Sequence, residues 1–170
     1  IRNTARFMLA NLNGFVPEED ALPSDQLLAL DYWIVRQCLL LQDEVVNYYH
    51  SYNFLSVYQK IHNFCVTELG GFYLDVIKDR QYTTQVDSRA RRSTQTAMLQ
   101  VVEMLSRMIA PILSFTADEI WQHIPGDRVD SVFLSDFREG HSTLKESGEF
   151  DDAFWRRILE VKTAVNRELE

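Results

Sequence analysis

The sequence predicts an all-α chain, an antiparallel bundle of about four long helices with a small irregular C-terminal appendage. Three observations carry that expectation. Apolar residues recur at helical spacing through most of the chain. The interruptions fall on turn residues: Asn13-Gly14, Pro17, Pro23, Asn53 and Pro125-Gly126. At 170 residues and 46% apolar composition, one domain can bury a sizeable core without disulfides or metals.

The first helix runs from Ile1 to about Leu12, with Ala5, Met8, Leu9 and Leu12 on one face, and Asn13-Gly14 ends it. A loop broken by Pro17 and Pro23 follows. Ser24 or Asp25 caps the second helix, which reaches about Ser51 with a stripe of Leu27, Leu30, Ile34, Leu41, Val45, Tyr48 and Tyr52. Asn53 marks a tight turn and a cap. The third helix carries Phe54, Val57, Ile61, Phe64, Cys65, Leu69, Phe72 and Val76. Its pattern passes Gly70-Gly71 without a change of phase, so one long helix with a weak point is expected. Each mid-helix glycine costs about 1 kcal/mol against alanine. Asp87 or Ser88 caps the fourth helix, which carries Met98, Val101, Val102, Leu105, Met108 and Ile109.

A joint follows at Met108 to Trp121, MIAPILSFTADEIW. Pro111 has no amide hydrogen and biases Ala110 away from the helical region. Ser114 or Thr116 can cap the next helix, and Thr116 and Glu119 have the spacing of a capping box. Asp118 and Glu119 suit a positive helix N-terminus. The short helix from Thr116 to about Ile124 stops at Pro125-Gly126. Residues 127–149 are polar and turn-rich, with one short extended run from Ser131 to Phe137. Asp151 or Asp152 starts a last helix. The expected organisation is a bundle over 1–126, an irregular segment over 127–149 and a helix over 150–170. The chain opens and closes inside helical patterns and does not begin with Met, so it reads as a piece of a longer polypeptide.

Composition narrows the function. The two cysteines, Cys38 and Cys65, lie in apolar helical patterns and are expected to be buried free thiols in a reducing compartment. No apolar run is long enough to cross a bilayer and no signal peptide is visible, so the expected location is the cytoplasm, with no membrane partner. There is no phosphate loop, no His-Glu-x-x-His and no triad spacing. The four histidines are scattered, so no metal ligand set is assigned. No catalytic residue is assigned either.

Charge is uneven. The net charge is −8, yet residues 78–107 carry six bases and three acids, and residues 1–10 are net +2. Lys78 and Arg80 end the third helix, and Arg89, Arg91 and Arg92 open the fourth, so the five cations are expected at one pole. Cations at a helix N-terminus oppose the dipole, and a polyanion would offset that. The structural alternative is pairing with Asp75, Asp79 and Asp87. A second candidate face is Asn3, Arg6 and Phe7, with Arg2 beside them. Reading a single-stranded loop uses stacking on aromatic or guanidinium planes and hydrogen bonds to base edges. On the residues alone, core packing is the competing role for Phe7. Trp33, Trp121 and Trp155 read as core anchors.

The joint MIAPILSFTADEIW closely resembles one near the end of the anticodon-binding helical domain of class I aminoacyl-tRNA synthetases, in the isoleucyl, valyl and leucyl group. IRNTARFMLANLNGF, LDYW (Leu30 to Trp33), FYLDVIKDRQY (Phe72 to Tyr82), SRARRSTQTAM and DAFWRRILEVKTAVNRELE match the same family in order. FYLDVIKDRQY is the segment most specific to the isoleucyl branch, and the joint has a bacterial flavour. The resemblance spans essentially all 170 residues. It implies the anticodon-binding bundle of such an enzyme, with tRNA(Ile) as partner alongside the catalytic and C-terminal domains of the same polypeptide. It implies ATP with Mg and a C-terminal zinc for the parent enzyme, and no cofactor on this piece. The signatures His-Ile-Gly-His and Lys-Met-Ser-Lys-Ser and the C-terminal cysteine cluster are absent from this sequence. By the same resemblance Phe7 becomes a base-stacking candidate. The alternative expectation is a cytosolic helical protein–protein interaction module without RNA binding.

Overall fold

The computed structural model describes residues 1–138 and 150–169. Among them the architecture is all-α. Helix α1 spans Arg2–Asn11, the single turn α2 Pro17–Asp20, and α3 Ala29–His50. Helix α4, Phe54–Phe64, runs directly into a π-helical stretch, Cys65–Tyr73, then the short turns α5 (Leu74–Val76) and α6 (Lys78–Thr83). Helix α7 spans Arg89–Ile109, α8 Ser114–Gln122 and α9 Asp152–Leu169.

Helices α1 and α3, the 54–83 course and α7 alternate in direction. The diagonal pair α3 and α7 runs the same way and packs most extensively. Its direction is fixed at both ends: the Leu28 amide donates to Ser93 Oγ at 2.8 Å, and the Tyr49 hydroxyl donates to the Met108 carbonyl at 2.6 Å. Helix α1 runs against α7, its Asn11 carbonyl accepting from Gln95 Nε2 at 3.1 Å. The core between them is built from Met8, Ile34, Val45, Ile61, Leu69, Met98, Met104 and Met108, all with no exposed surface. Trp33, Trp121 and Trp155 are core anchors, and Cys38 and Cys65 are buried free thiols.

Capping follows the sequence in three places. Asn53 accepts from the Ser56 amide, Ser88 from the Arg91 amide and Asp151 from the Phe154 amide. It departs from it at two others. Helix α3 begins at Ala29 without a side-chain cap, because Ser24–Gln26 forms a separate 3₁₀ turn. Helix α8 begins at Ser114 with Leu113 at its N-cap and no side-chain cap. Ser114 Oγ donates backwards to the Ala110 carbonyl, and Ala110 itself stays helical at φ −53°, ψ −43°. The Thr116–Glu119 capping box therefore does not form.

The third predicted stripe breaks for a physical reason. The 54–83 course is continuous through Gly70-Gly71, but as π-helix, which takes more residues per turn. The buried set consequently moves from the 3.6-residue rhythm to Phe72, Tyr73, Leu74 and Ile77, and Val76 becomes exposed. A Cβ on Gly71 would lie 2.9 Å from the Val66 carbonyl oxygen five residues back, and one on Gly70 3.0 Å from that of Cys65. The glycines make room for the wider turn. Tyr52 and Phe54, placed on core stripes by periodicity, are exposed at the α3–α4 turn.

Residues 127–138 are fastened to the bundle. Trp121 Nε1 donates to the Val129 carbonyl at 2.9 Å, and Arg128 stacks over the Trp121 ring and pairs with Glu103. Asp118 accepts from Ser131 Oγ and the Val132 amide, so its role is here and not at a capping position. The expected extended run is replaced at Val132–Leu134 by a 3₁₀ turn. The rest of the expected irregular segment, 139–149, lies outside the described residues. Helix α9 docks through Trp155, tilted against the Trp33 ring (centroids 5.4 Å) and edge-on to Phe72, and through Arg36 with Asp152.

Candidate nucleic-acid interface

One turn of sequence decides the surface of α1. Ala5, Met8 and Leu12 face the core, so Arg2, Asn3, Arg6 and Ala10 face outward at i, i+1, i+4 and i+8. They form one wall of an open groove of about 820 Å³. The opposite wall is α8 and the turn after it: Glu119, Ile120, His123 and Pro125. Leu9, Leu12 and Phe15 supply an apolar floor. Arg2, Asn3 and Arg6 are exposed. Arg2 Nη2 lies 2.5 Å from Glu119 Oε1. Among the described residues no ion pair engages Arg6. Phe7 does not line the groove; its ring is partly buried against the core, and its carbonyl accepts from Asn11 Nδ2.

Such a groove combines exposed cations, an amide with donor and acceptor, and an apolar floor. Those are the elements that bind a single-stranded polyanion whose planar bases need a surface. The α8 wall was not legible in the sequence as part of a site. Glu119 and His123 have i, i+4 spacing, which puts them on one face, but 117 residues separate Arg2 from Glu119.

The second candidate region is organised differently. The five cations at the 78–92 turn are largely engaged within the protein. Lys78 donates to Asp75 at 2.8 Å, and that hydrogen bond holds its ammonium above the ordinary lysine value. Arg80 reaches the buried Asp31 at 3.2 Å. Arg89 donates to the Gln26 carbonyl and Arg91 to the Thr84 carbonyl. Arg92, only 14% exposed, pairs with Asp20 at 2.9 Å, donates to Gln95 and lies over the Phe15 ring. Of the pairings the sequence suggested, Asp75 takes part; Arg80 and Arg92 instead use Asp31 and Asp20, from elements remote in sequence. Lys78 and Arg89 are the exposed members of this set.

The Anticodon-binding domain of tRNA ligase family model matches residues 31–170. The whole chain is 59% identical to part of the isoleucine–tRNA ligase of Pseudomonas entomophila (strain L48) and 60% identical to part of that of Ectopseudomonas mendocina (strain ymp). It is 58% identical to part of the isoleucine–tRNA ligase of Azotobacter vinelandii (strain DJ / ATCC BAA-1303). In each case all of this chain is covered and 18% of the relative, so the chain spans less than a fifth of the length of these relatives. The reading as a protein–protein interaction module finds no support in these matches. The helical bundle, its outward basic face and these matches agree, and the chain belongs to the anticodon-binding domain family of tRNA ligases.

Proposed function

We propose that this chain is the anticodon-binding part of an isoleucine–tRNA ligase and that its α1–α8 groove holds the anticodon stem-loop of tRNA(Ile). Two observations support the reading together: similarity over the whole of this chain to part of isoleucine–tRNA ligases, and a groove lined by Arg2, Asn3 and Arg6. Arg2 and Arg6 would meet backbone phosphates, and Asn3 would meet a base edge. Phe7 would offer the exposed part of its ring for stacking. Lys78 and Arg89 would add phosphate contacts at the far pole, with Arg80, Arg91 and Arg92 holding that pole in shape.

The chemistry of the parent enzyme belongs, in this reading, to the rest of the polypeptide: ATP with Mg in a catalytic domain and zinc in a C-terminal domain. Among the described residues no three His, Cys, Asp or Glu side chains converge as a metal site, and no helix is long and apolar enough to cross a membrane. The cytoplasm is the expected site of action.

The test is the KM for tRNA(Ile) against the rate of isoleucyl-adenylate formation in the full-length ligase, since adenylate formation does not require the tRNA. Arg6→Ala and Asn3→Ala should each raise the tRNA KM, Arg6→Ala by about tenfold. An unchanged tRNA KM in both variants would remove the groove from the RNA interface.

A further inference from the structure

We propose that Glu119 is a built-in competitor for RNA phosphate at Arg2, and that it makes Arg2 a contact reserved for correctly seated RNA. This rests on reading the α1–α8 groove as the RNA site. Arg2 Nη2 and Glu119 Oε1 lie 2.5 Å apart across the groove, with side chains 65% and 50% exposed. A carboxylate and a phosphate present the same oxygen geometry to a guanidinium. Glu119 thus occupies the position on Arg2 that a phosphate oxygen would take. An exposed ion pair of this kind contributes little to stability, so a ligand held elsewhere in the groove can open it. RNA that is not held elsewhere must compete with Glu119 for Arg2 and meets a carboxylate that repels its backbone. Arg6, one turn further along the same face, has no such partner among the described residues and stays available to any RNA.

The exchange has a thermodynamic signature. A cation that neutralises a phosphate releases counterions, and binding then weakens with salt by a slope of about 0.7 to 0.9 per contact. With Glu119 charged beside it, Arg2 belongs to a pair with no net charge, which offsets the gain from neutralising a phosphate. The Arg2 contact therefore adds almost nothing to the salt slope while Glu119 is charged. Glu119→Gln keeps the size and hydrogen-bonding capacity of the side chain and removes only the competition.

The experiment measures binding of tRNA(Ile) and of one non-cognate tRNA to the full-length ligase across a KCl series. The proteins are wild type, Glu119→Gln, Arg2→Ala and Arg6→Ala, each checked for native helicity by circular dichroism. Glu119→Gln is expected to steepen the salt slope by about 0.7 to 0.9. It should strengthen non-cognate binding about three- to tenfold at low salt and cognate binding less, so that discrimination falls. Arg2→Ala should weaken cognate binding and leave the non-cognate complex nearly unchanged. Unchanged slope and discrimination in Glu119→Gln overturn the proposal. If Arg6→Ala still weakens binding in that case, the groove reading survives and only the competitor role fails. If Arg6→Ala is also silent, both fail.

Discussion

The Tyr73 hydroxyl donates a 2.7 Å hydrogen bond to the carboxylate of Asp31, and neither side chain has exposed surface. Ser93 Oγ donates to the same carboxylate at 2.6 Å, Thr94 also reaches it, and Arg80 lies 3.2 Å away. One buried charge therefore ties α3, the π-helical stretch, α6 and α7 together. Asp31→Ala would leave those donors without their acceptor. The expected loss is about 3 kcal/mol, a fall in Tm of about 6 to 12 °C for a chain of this size. Thermal denaturation followed by circular dichroism measures it.

The same carboxylate gives stability a pH dependence. Burial pushes the Asp31 carboxyl up, against the hydrogen bonds of Ser93 and Tyr73 and the charge of Arg80. A folded-state value above the unfolded one means that the folded chain keeps this proton after the unfolded chain has lost it. Its contribution is fully present below the unfolded value and declines as pH rises from the ordinary carboxylate range through the raised folded value. Asp31→Asn cannot ionise and should lack this decline. Urea titrations over a pH series should show wild-type stability falling relative to Asp31→Asn as pH rises; a difference flat with pH would contradict the shift.

Gly71→Ala discriminates π-helix from α-helix. In an exposed α-helix the substitution stabilises by about 1 kcal/mol. Here the new Cβ would lie 2.9 Å from a backbone oxygen, so the expectation is destabilisation by about 1 to 3 kcal/mol. The urea midpoint of the variant reads the sign directly.

Helix α9 hangs on Trp155. Its ring packs against Trp33, Phe72, Phe150 and Phe154, while Val161, Val165 and Leu169 further along α9 are exposed. Trp155→Ala should release α9 with a cost of about 3 kcal/mol. Limited proteolysis should then cut within 152–169 well before it cuts the bundle.

Arg92 and Lys78 should separate stability from surface charge. Arg92→Ala removes a largely buried ion pair with Asp20, the hydrogen bond to Gln95 and the stack on Phe15, and should cost about 1 to 2 kcal/mol. Lys78 is an exposed partner of Asp75, and Lys78→Ala should leave the Tm little changed. Paired melting curves test the contrast.

The helices and their turns were legible because each rests on local chemistry. Ala5, Met8 and Leu12 read as a buried face and are one, and Asn53 and Ser88 read as caps and are caps. Errors arose where distant groups decide the outcome. Asp31 read only as part of Leu30 to Trp33, because its donors Tyr73, Ser93 and Thr94 lie more than 40 residues away. The π-helical stretch escaped a 3.6-residue rhythm, and Val76 was placed on the wrong face as a result. At the groove, Asn3 and Arg6 could be read as one outward face with Arg2 beside it, but Phe7, read on the same face, packs partly against the core and does not line the groove. The opposite wall, α8, could not be read, because only the packing of α1 and α8 against α7 brings them together.

Protection of the anticodon loop of tRNA(Ile) from nuclease by the full-length ligase, wild type against Arg6→Glu, tests the central claim most directly. Wild type should protect both the anticodon loop and the acceptor stem. Arg6→Glu should lose protection of the anticodon loop while the acceptor stem stays covered. Anticodon-loop protection that is the same in both proteins would contradict the assignment of the α1–α8 groove to RNA.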